Sequence, residues 1–444
     1  MGKGGDQQER VPSGGVGQGL SWEEIGQRDG KAGRDKWLVI DGQVYNITRW
    51  SKKHPGGHKV ISHYAGQDAS EAFLAFHNNQ KEVRKYLKAF HVGHVIPSEW
   101  KEKEIVKDMK ELRLTVEKMG LFKPSVFFFA FQIFQIIGFD VLAYLNLYFY
   151  GVSFSTFSLS AFLLGMSQTL AGWTQHDFGH LSISKKTWVN QILHYFTMGT
   201  LKGASSRWWN HMHYQHHAKP NVINKDPDVR LELLFVVGKK MPKTIAESGK
   251  STMPYNWQDK YFPILGPPLL FPLYFQWMLF YYIFTRKQWL DLAFCLSFYV
   301  KFFILYIPIL GIWKTLVLME IMRVIESIWF TWVSQSNHIP MEIDEDTAKP
   351  WLELQLRATC NLEKNMFNDW FTGHLNFQVE HHLFPTMPRH NLHRAQPLVK
   401  SLCAKHGIDY KVKTLYGGFK DILGSLHESG KIWFDAYYHL KDDL

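Results

Sequence analysis

Histidine is the residue type in this sequence whose placement points most directly to chemistry. The chain has 22 histidines in 444 residues, and four of the seven residues from 211 to 217 are histidine. Three short clusters stand out: His176 and His180; His213, His216 and His217; and Gln378, His381 and His382. Spacings of three and four residues place side chains on one face of a helix, so each cluster can present several metal ligands together.

The number of ligands is more informative than their type, because imidazole binds iron, zinc, copper and nickel. The clusters supply seven histidines, which exceeds the need of one ion. The amide oxygen of Gln378 could replace an imidazole, and His338, directly after the last apolar stretch, is placed to be an eighth histidine ligand. The sequence has neither the His-Glu-x-x-His pattern of zinc proteases nor the Glu-x-x-His pattern of carboxylate di-iron bundles. A histidine-rich site for two metal ions is therefore predicted.

A second kind of site is indicated near the N-terminus. His54 opens the run His54-Pro55-Gly56-Gly57, and His77 follows it 23 residues later. Two histidines that approach a planar macrocycle from opposite faces leave its iron without an open position, which suits electron transfer. The glycines allow a sharp turn beside the ring because they add no side chain there.

Long apolar stretches must position the histidine clusters. Val126 to Phe149 and Val152 to Trp173 both reach the roughly 20 residues that a membrane-spanning helix needs, and the short break between them predicts a helical hairpin. Three further apolar stretches lie at about 262–284, 290–312 and 315–333. All clusters share one side of the membrane only if an even number of these three cross it. Gly266-Pro267-Pro268 makes the first of the three the best candidate for a kinked or interfacial segment.

Charged residues inside these stretches are costly in lipid and are expected to face the bundle interior. They are Asp140, Lys301, Arg323 and Glu326, and the spacing of the last two makes them a candidate ion pair.

Composition limits the class of protein. A hydrophobic content of 46% and an aromatic content of 16% exclude a disordered chain. The net charge of +10 suits an acidic partner, but the basic residues form no stripe or motif typical of nucleic-acid binding. Three widely spaced cysteines predict neither disulfides nor a thiolate metal site, and the polar start of the chain has no apolar leader, so the N-terminus is expected to stay cytosolic.

The predicted organisation has four parts: a disordered leader (1–18), a compact soluble domain (19–96), a linker or interfacial helix (97–123) and a membrane domain (124–444). In the soluble domain, Asp41-Gly42 lies between two alternating apolar runs and predicts a tight β-hairpin. The charged segment after it has apolar residues at helical spacing, which fits a membrane-surface helix or a solvated connector equally well.

The soluble domain resembles the cytochrome b5 family over about residues 20–95. The likeness rests on the His54-Pro-Gly-Gly run, the hairpin segment, Tyr64-Ala65-Gly66 and the run 68–73. It implies an α+β domain that binds haem b through His54 and His77 as axial ligands.

The three clusters have the forms H-x3-H, H-x2-H-H and Q-x2-H-H and resemble those of the membrane fatty acyl desaturases. With the cytochrome b5-like domain and Gln378, the chain is similar to front-end desaturases over about residues 20–440. The resemblance implies an all-α integral membrane domain with about four transmembrane helices and a cytosolic histidine-rich cap. It also implies two non-haem irons, held by His176, His180, His213, His216, His217, His338, Gln378, His381 and His382.

Several neighbours of the clusters are better suited to orienting ligands than to binding metal. His211 and His374 are such residues, and Asp177, Asn210, Asp226 and Glu380 are candidates to accept a hydrogen bond from an imidazole, although a solvated role suits Asp226 equally. Basic and aromatic residues near the second cluster could meet a CoA phosphate or form a membrane-interface belt; these are Lys202, Arg207, Trp208, Trp209 and Lys219.

The activity implied is O2-dependent insertion of a cis double bond on the carboxyl side of existing double bonds in a polyunsaturated acyl-CoA. A Δ6 bond is the preferred assignment, with Δ5 or both as alternatives. Electrons would come from NADH or NADPH through cytochrome b5 reductase and the fused haem domain. The expected location is the endoplasmic reticulum membrane, with several spans and both termini cytosolic. Substrate chain length, a CoA or phospholipid carrier, and oligomeric state stay open.

Two other functions fit parts of the pattern. A membrane fatty acid or sphingolipid hydroxylase can use similar histidine clusters and a fused cytochrome b5, and Gln378 favours desaturation over it. A non-catalytic haem- and metal-binding membrane protein, such as a transporter, would need a polar path through its spans, and the charged residues are too sparse for one.

Overall fold

A computed structural model describes residues 19–77 and 79–442, which separate into two compact units with the boundary between Lys107 and Asp108. The leader predicted at 1–18 lies outside the described residues.

The first unit is built on a four-stranded sheet in the order β1-β4-β3-β2. Its strands are β1 (Gly19–Leu20), β2 (Trp37–Ile40), β3 (Gln43–Asn46) and β4 (His91–Val95). Its helices are α1 (Trp22–Gly26), α2 (His58–Ser62), α3 (Ser70–Phe76) and α4 (Gln80–Leu87), with short 3-10 turns at Lys31–Gly33, Ser51–Lys53 and Lys88–Phe90. Asp41 and Gly42 have φ values of 50° and 74° and join β2 to β3 with Ile40 opposite Gln43, so the predicted tight hairpin is confirmed.

The second unit is mostly helical. After α5 (Glu104–Lys118), its α-helices are α6 (Val126–Tyr150), α7 (Phe154–Gly179), α8 (Thr187–His194), α9 (Ser206–Ala218), α10 (Lys240–Glu247), α11 (Gln258–Leu265), α12 (Gln276–Thr285), α13 (Trp289–Ser336), α14 (Trp351–Ala358), α15 (Met366–Phe371), α16 (Gln378–Leu383), α17 (Leu392–Lys405) and α18 (Leu415–Asp442). Two π-helical turns lie at Tyr195–Leu201 and Leu270–Phe275, short 3-10 turns at Pro227–Val229, Tyr255–Trp257, Leu375–Phe377 and Arg389–Asn391, and a two-residue parallel pair forms from β5 (Asn361–Leu362) and β6 (Val412–Lys413).

Helices α6 and α7 form the predicted antiparallel hairpin, which turns at Gly151. Small hydroxyl side chains of α7 donate to carbonyls of α6: Ser160 to Ala143 at 2.8 Å and Ser167 to Ile136 at 3.0 Å. These bonds satisfy buried hydroxyls and let the two helices approach closely.

The long helix α13 reverses direction at Gly311, where φ is 72° and ψ is 165°. The guanidinium of Arg323 lies 5.1 Å from the ring centroid of Phe298, whereas the same separation in sequence along a straight helix would span about 37 Å. The helix is therefore a hairpin of two arms, 289–310 and 312–336, and these match the two apolar stretches predicted there.

By length and composition, two of the described helices, Val126–Tyr150 and Trp289–Ser336, could cross a membrane. A third candidate arises if the bent pair Tyr255–Leu265 and Leu270–Thr285 is one span; its two parts meet at 80°, which confirms the kink predicted beside Pro267 and Pro268. The expected count of about four transmembrane helices stays a prediction.

The four charged residues that were predicted to face the bundle interior form ion pairs. Lys301 and Asp140 are 3.2 Å apart, and Arg323 and Glu326 are 3.1 Å apart and buried, so the predicted Arg323–Glu326 pair is confirmed. Lys202 forms a further ion pair with Glu326. Pairing offsets part of the cost of placing these charges away from water.

The segment predicted as a linker or interfacial helix contains α5. Met109, Leu112 and Val116 on this helix are buried, whereas Leu114 is exposed. The carboxylate of Asp108 accepts a hydrogen bond at 2.6 Å from His406, which directly follows α17. From Asp108 onward, α5 is thus packed against the second unit rather than free in solvent.

Replacing Gly373 by alanine is expected to destabilise the second unit by about 2 to 4 kcal/mol. Gly373 has a φ of +58°, and an added Cβ would lie 2.3 Å from Cγ of Trp173 on α7. The change can be measured as a lower unfolding temperature of the purified protein. Gly424→Ala is the control, because nothing lies within 4 Å of its added Cβ, and alanine favours the helix there. Equal unfolding temperatures for the two variants would contradict the expectation.

Candidate functional site

The histidine clusters come together in the second unit as two neighbouring groups. Ligand atoms of five histidines lie within 4.8 Å of one another: His176, His180, His213, His217 and His381. Three others satisfy the same limit: His216, His338 and His382. We call these sets the five-histidine group and the three-histidine group.

Adjacent histidines on one helix belong to different groups. On α9, His217 joins the five-histidine group and His216 the three-histidine group, and on α16 His381 and His382 divide in the same way. The Nε2 atoms of His217 and His381 are 3.0 Å apart, and the ring centroids of His216 and His382 are 5.0 Å apart. Helices α9 and α16 each contribute histidines to both groups, so a rotation of either helix would move ligands of both groups.

Helix α9 is held at its N-terminus by Asp291 of α13. The Asp291 carboxylate accepts hydrogen bonds from the backbone N–H of Ser206 at 3.1 Å and its hydroxyl at 2.8 Å, and also from the hydroxyl of Ser205. A carboxylate at this end also interacts favourably with the helix dipole. Sequence reasoning missed Asp291, since a lone acid at the start of an apolar stretch does not reveal its partner.

The five-histidine group fits a metal ion better than a hydrogen-bonded core. The Nε2 atom of His213 lies 3.0 Å from that of His176 and 3.1 Å from that of His217. Two imidazole nitrogens can share only one proton, so a ring of facing Nε2 atoms cannot all be satisfied by each other. Nε2 of His180 is buried with no hydrogen-bond partner in the described part of the chain. A central cation would satisfy all of these nitrogens.

Burial keeps these imidazoles neutral. Loss of solvation is the main cause that holds the pKa of His213, His217, His381 and His382 well below the ordinary value for histidine. Neutral imidazole is the form that binds metal.

Each imidazole of the three-histidine group is oriented by a hydrogen bond at Nδ1. His338 faces the carbonyl of Ala358 at 3.0 Å, and His382 faces Oε1 of Gln355 at 2.7 Å. Nδ1 of His216 faces Oδ2 of Asp226 at 2.9 Å. These contacts leave the Nε2 atoms to face the centre of the group, as in metal sites whose ligands are fixed by outer hydrogen bonds.

Asp226 also affects the pKa of His216. Burial lowers the pKa of His216, but the carboxylates of Asp226 and Asp228 outweigh burial and raise it above the ordinary value. A carboxylate in this position increases the basicity of the imidazole toward a metal.

Gln378 lies at the edge of the three-histidine group. Its Nε2 atom is 2.9 Å from Nε2 of His338 and 3.3 Å from Nε2 of His382, and its Oε1 atom is buried without a hydrogen-bond partner in the described residues. A half-turn of the amide would direct the oxygen to the same point as the two imidazoles. Gln378 is thus close to two predicted ligands, and its own role as a ligand stays a prediction.

Two of the carboxylates predicted to hold imidazoles have other partners. Asp177 accepts a hydrogen bond from the backbone N–H of Arg389 at 2.8 Å. Glu380 accepts hydrogen bonds from Tyr410 at 2.5 Å and Asn361 at 2.7 Å, and burial raises its pKa to about 7 in spite of them. Both predictions were wrong about the contact, because the sequence does not show which distant segment approaches a carboxylate.

The other predicted neighbours differ in their surroundings. Asp226 does contact an imidazole, so its solvated alternative is excluded, whereas Oδ1 of Asn210 is buried and has no hydrogen-bond partner in the described residues. The ring of His211 lies beside that of Tyr282, and the ring of His374 lies beside that of Phe128. Gln355 and the Ala358 carbonyl, which orient ligands, were missed; both lie on α14, which has no histidine to mark it.

The basic residues near the second cluster are less available than predicted. Lys202 is 2% exposed and paired with Glu326, and Lys219 is 1% exposed and paired with Asp346. Neither lysine can reach a soluble phosphate while these pairs are intact. Arg207, which donates from Nε to the Tyr195 hydroxyl at 2.6 Å, is only partly buried.

In the first unit, His54 and His77 face each other across a gap. Their ring centroids are 6.3 Å apart, which accommodates one metal ion between them because metal–imidazole bonds are about 2 Å long. Nδ1 of His54 is 3.3 Å from the carbonyl of Gly57, and Nδ1 of His77 is 3.0 Å from that of Phe73. Burial lowers the pKa of His54 to about 4, so the imidazole is neutral as haem ligation requires.

Comparison with known families agrees with both sites. Residues 153–414, more than half of the chain, match the family model described as fatty acid desaturase. The chain belongs to the fatty acid desaturase family. Residues 21–96 match a second model, described as cytochrome b5-like haem/steroid binding domain.

Membership of this family indicates which cofactor each of the two sites binds. The match to the desaturase family includes both histidine groups and Gln378, and the match to the b5-like family includes His54 and His77. The protein is a membrane desaturase with a fused cytochrome b5-like domain that implies haem and supplies electrons. The family and the two groups together point to a di-iron centre, and the buried nitrogens described above fit it.

Replacing Asp226 by asparagine in this desaturase is expected to lower iron affinity at the three-histidine group by about 10- to 100-fold. The substitution removes the negative charge 2.9 Å from Nδ1 of His216 but keeps a hydrogen-bond acceptor. Iron retained during titration with a chelator measures the effect. Asp421→Asn is the control, since the side chain of Asp421 is 46% exposed and pairs with Lys413 rather than with a histidine. A similar loss in both variants would argue against a specific role of Asp226.

Proposed function

We propose that this desaturase inserts a cis double bond on the carboxyl side of existing double bonds in a polyunsaturated acyl-CoA. A Δ6 position is preferred, with Δ5 or both as alternatives. The observation that carries the proposal is the pair of buried histidine groups, with Gln378 at the edge of one, in a chain that also has a b5-like domain.

The proposal assigns one iron to each group. The five-histidine group would hold the first iron, and His216, His338, His382 and Gln378 would hold the second. When bound, the two irons would supply the reduction of O2 that removes two hydrogens from adjacent methylenes. Reduction of each O2 to two waters takes four electrons and four protons. Two of each come from the C–H bonds, two electrons arrive one at a time through the haem held by His54 and His77, and two protons come from solvent.

The residues of the chain contribute orientation and exclusion of water. Nδ1 hydrogen bonds from His216, His338 and His382 fix the direction of three imidazoles, and α9 is anchored by Asp291. The ligand side chains are mostly or fully buried, so bulk water is kept from the reacting carbons. The methylenes of an acyl chain carry no polar group that the protein could bind. The position of the new double bond must therefore follow from the depth at which the acyl chain is held.

The proposed topology has four crossings: α6, α7 and the two arms of α13. Helix α7 is too polar to count as a span by composition, but it packs along α6 to its last turn, where the rings of Phe129 and Phe178 are 5.8 Å apart. It therefore crosses wherever α6 does. Four crossings place both termini on the side of the histidine groups, which we assign to the cytosolic face of the endoplasmic reticulum. Cytochrome b5 reductase, with NADH or NADPH, is the proposed electron source.

Expression in yeast fed defined polyunsaturated fatty acids tests this function. Mass spectrometry that locates new double bonds is expected to find them between the carboxyl group and the existing ones, and the His217→Ala variant should form none. A hydroxylated product would instead support the hydroxylase alternative. An unchanged lipid profile with fully metallated protein would support a non-catalytic role. Supplying the purified enzyme with acyl-CoA or with phospholipid then separates the two carriers.

A further inference from the structure

Helix α15 carries large apolar side chains on the outside of the protein. Met366 is 92% exposed and Phe367 is 56% exposed, although both lie on the chain segment that leads to the third histidine cluster. The preceding residues 363–365 are Glu-Lys-Asn and are also exposed. A polar run followed by exposed large apolar residues is costly in water but suits a bilayer surface.

The apolar surface of α15 is continuous with a helix long and apolar enough to span the membrane. The ring of Phe371 stacks on Trp329 of α13 with centroids 4.8 Å apart, and Trp329 Nε1 donates to the Phe371 carbonyl at 2.8 Å. Phe367 stacks on Phe371 at 5.2 Å. An unbroken row of aromatic rings therefore connects the exposed end of α15 to α13.

The same arm of α13 has a stripe of exposed apolar side chains. Val317 is 51% exposed, Ile321 is 39% exposed and Ile328 is 38% exposed, at spacings of four and seven residues that mark one helical face. Ile328 is next to Trp329, where α15 packs. The exposed stripe therefore extends along this arm to the helical turn against which α15 packs.

The depth of the contact also fits a membrane boundary. Trp329 lies seven residues before the helix ends at Ser336, or about 10 Å along its axis. Interfacial helices bury their apolar face about 5 to 10 Å into the boundary between headgroups and acyl chains. Helix α15 packs against the side of α13, about two turns before the end of that helix, and not above its end.

We propose that α15 is a membrane-inserted element, which places Met366 and Phe367 in the acyl chains of the leaflet on the side of the histidine groups. Residues 363–365 then lie among the lipid headgroups. The occupant of this surface is the lipid itself. The inference rests on the membrane assignment of the desaturase and not on the position of the bond it inserts.

This insertion has a direct connection to the third cluster. Asp369 of α15 accepts a hydrogen bond from Nδ2 of Asn376 at 2.8 Å, and Thr372 donates to Oδ1 of Asn376 at 3.1 Å. Asn376 is two residues before Gln378. Anchoring α15 in the lipid surface therefore helps to fix the segment that carries Gln378, His381 and His382.

Single-cysteine labelling of the full-length protein in vesicles tests the proposal. The native cysteines are all buried, so Met366→Cys can be labelled with an environment-sensitive fluorophore, with unlabelled wild type as the background control. Vesicles are made with and without lipids brominated on their acyl chains. Emission from position 366 is expected to shift to shorter wavelength and to be strongly quenched by the brominated lipid.

Two further sites calibrate the measurement. Phe134→Cys, 71% exposed on α6, should be quenched, and Tyr86→Cys, 67% exposed in the b5-like unit, should not. Emission from position 366 like that from position 86 would overturn the proposal. Emission that depends on protein density in the vesicles, but not on bromine, would overturn it in favour of a second copy of the chain. Because the readout does not involve turnover, its failure is distinct from failure of the proposed function.

Discussion

Changing His216 or His217 to alanine is expected to remove one of two irons in each case and to lower product formation at least about 100-fold in both. The two residues are neighbours on α9, yet His216 belongs to the three-histidine group and His217 to the five-histidine group. Each substitution therefore removes a ligand from a different metal while leaving most of the other group in place. Iron and haem per protein, measured on the purified variants, and product analysis would show this.

The double variant tests whether the two histidine groups bind metal independently of each other. With one iron assigned to each group, His216→Ala and His217→Ala together should bring the iron content close to zero, whereas either alone leaves about one iron. Haem should be unchanged in all three. His427→Ala, whose side chain is 45% exposed and outside both groups, serves as the control and should keep both irons. Complete loss of iron in either single variant would show that the groups hold metal only as one unit.

The division of neighbouring histidines between two groups also marks the limit of what spacing can predict. Spacings of three and four residues predicted which side chains within a cluster share a helical face, because helical periodicity is local, and the pairing of apolar stretches predicted that the clusters converge. Which group each imidazole joins depends on how α9 is rotated against α7 and α16. That rotation is set by distant contacts such as Asp291 at the N-terminus of α9, and no local pattern encodes them.

The fold likewise has features that local sequence determines and features that depend on distant contacts. The Asp41-Gly42 hairpin and the kink beside Pro267 were predictable because backbone preferences at single residues determine them. The burial of Lys202 and Lys219 was not predictable, since a lysine near a cluster of aromatic residues is usually at the surface. Their partners, Glu326 and Asp346, are more than 100 residues away in sequence.

In the first unit, His77→Ala is expected to abolish stable haem binding and to lower turnover supported by reductase and NADH at least about 100-fold. His54 and His77 are the two imidazoles that face each other across the 6.3 Å gap, and removing one leaves the haem iron a single axial ligand. The loss would be seen as a missing haem absorption band. Iron in the histidine groups should be unaffected, because all of their ligands lie in the second unit.

A single-turnover experiment separates the electron path from the oxidation itself. The His77→Ala protein is reduced chemically with dithionite, freed of excess reductant and then exposed to O2. If the haem only delivers electrons, this variant should form close to the wild-type amount of product in one turnover. His91→Ala is the matched control: this imidazole is in the same unit, on β4, where its Nε2 lies 2.9 Å from Oε1 of Gln43 and its ring packs against Tyr45. It should keep both haem and turnover. Normal NADH-driven turnover by a haem-free His77→Ala protein would contradict the assignment, because electrons would then enter the desaturase without the fused domain.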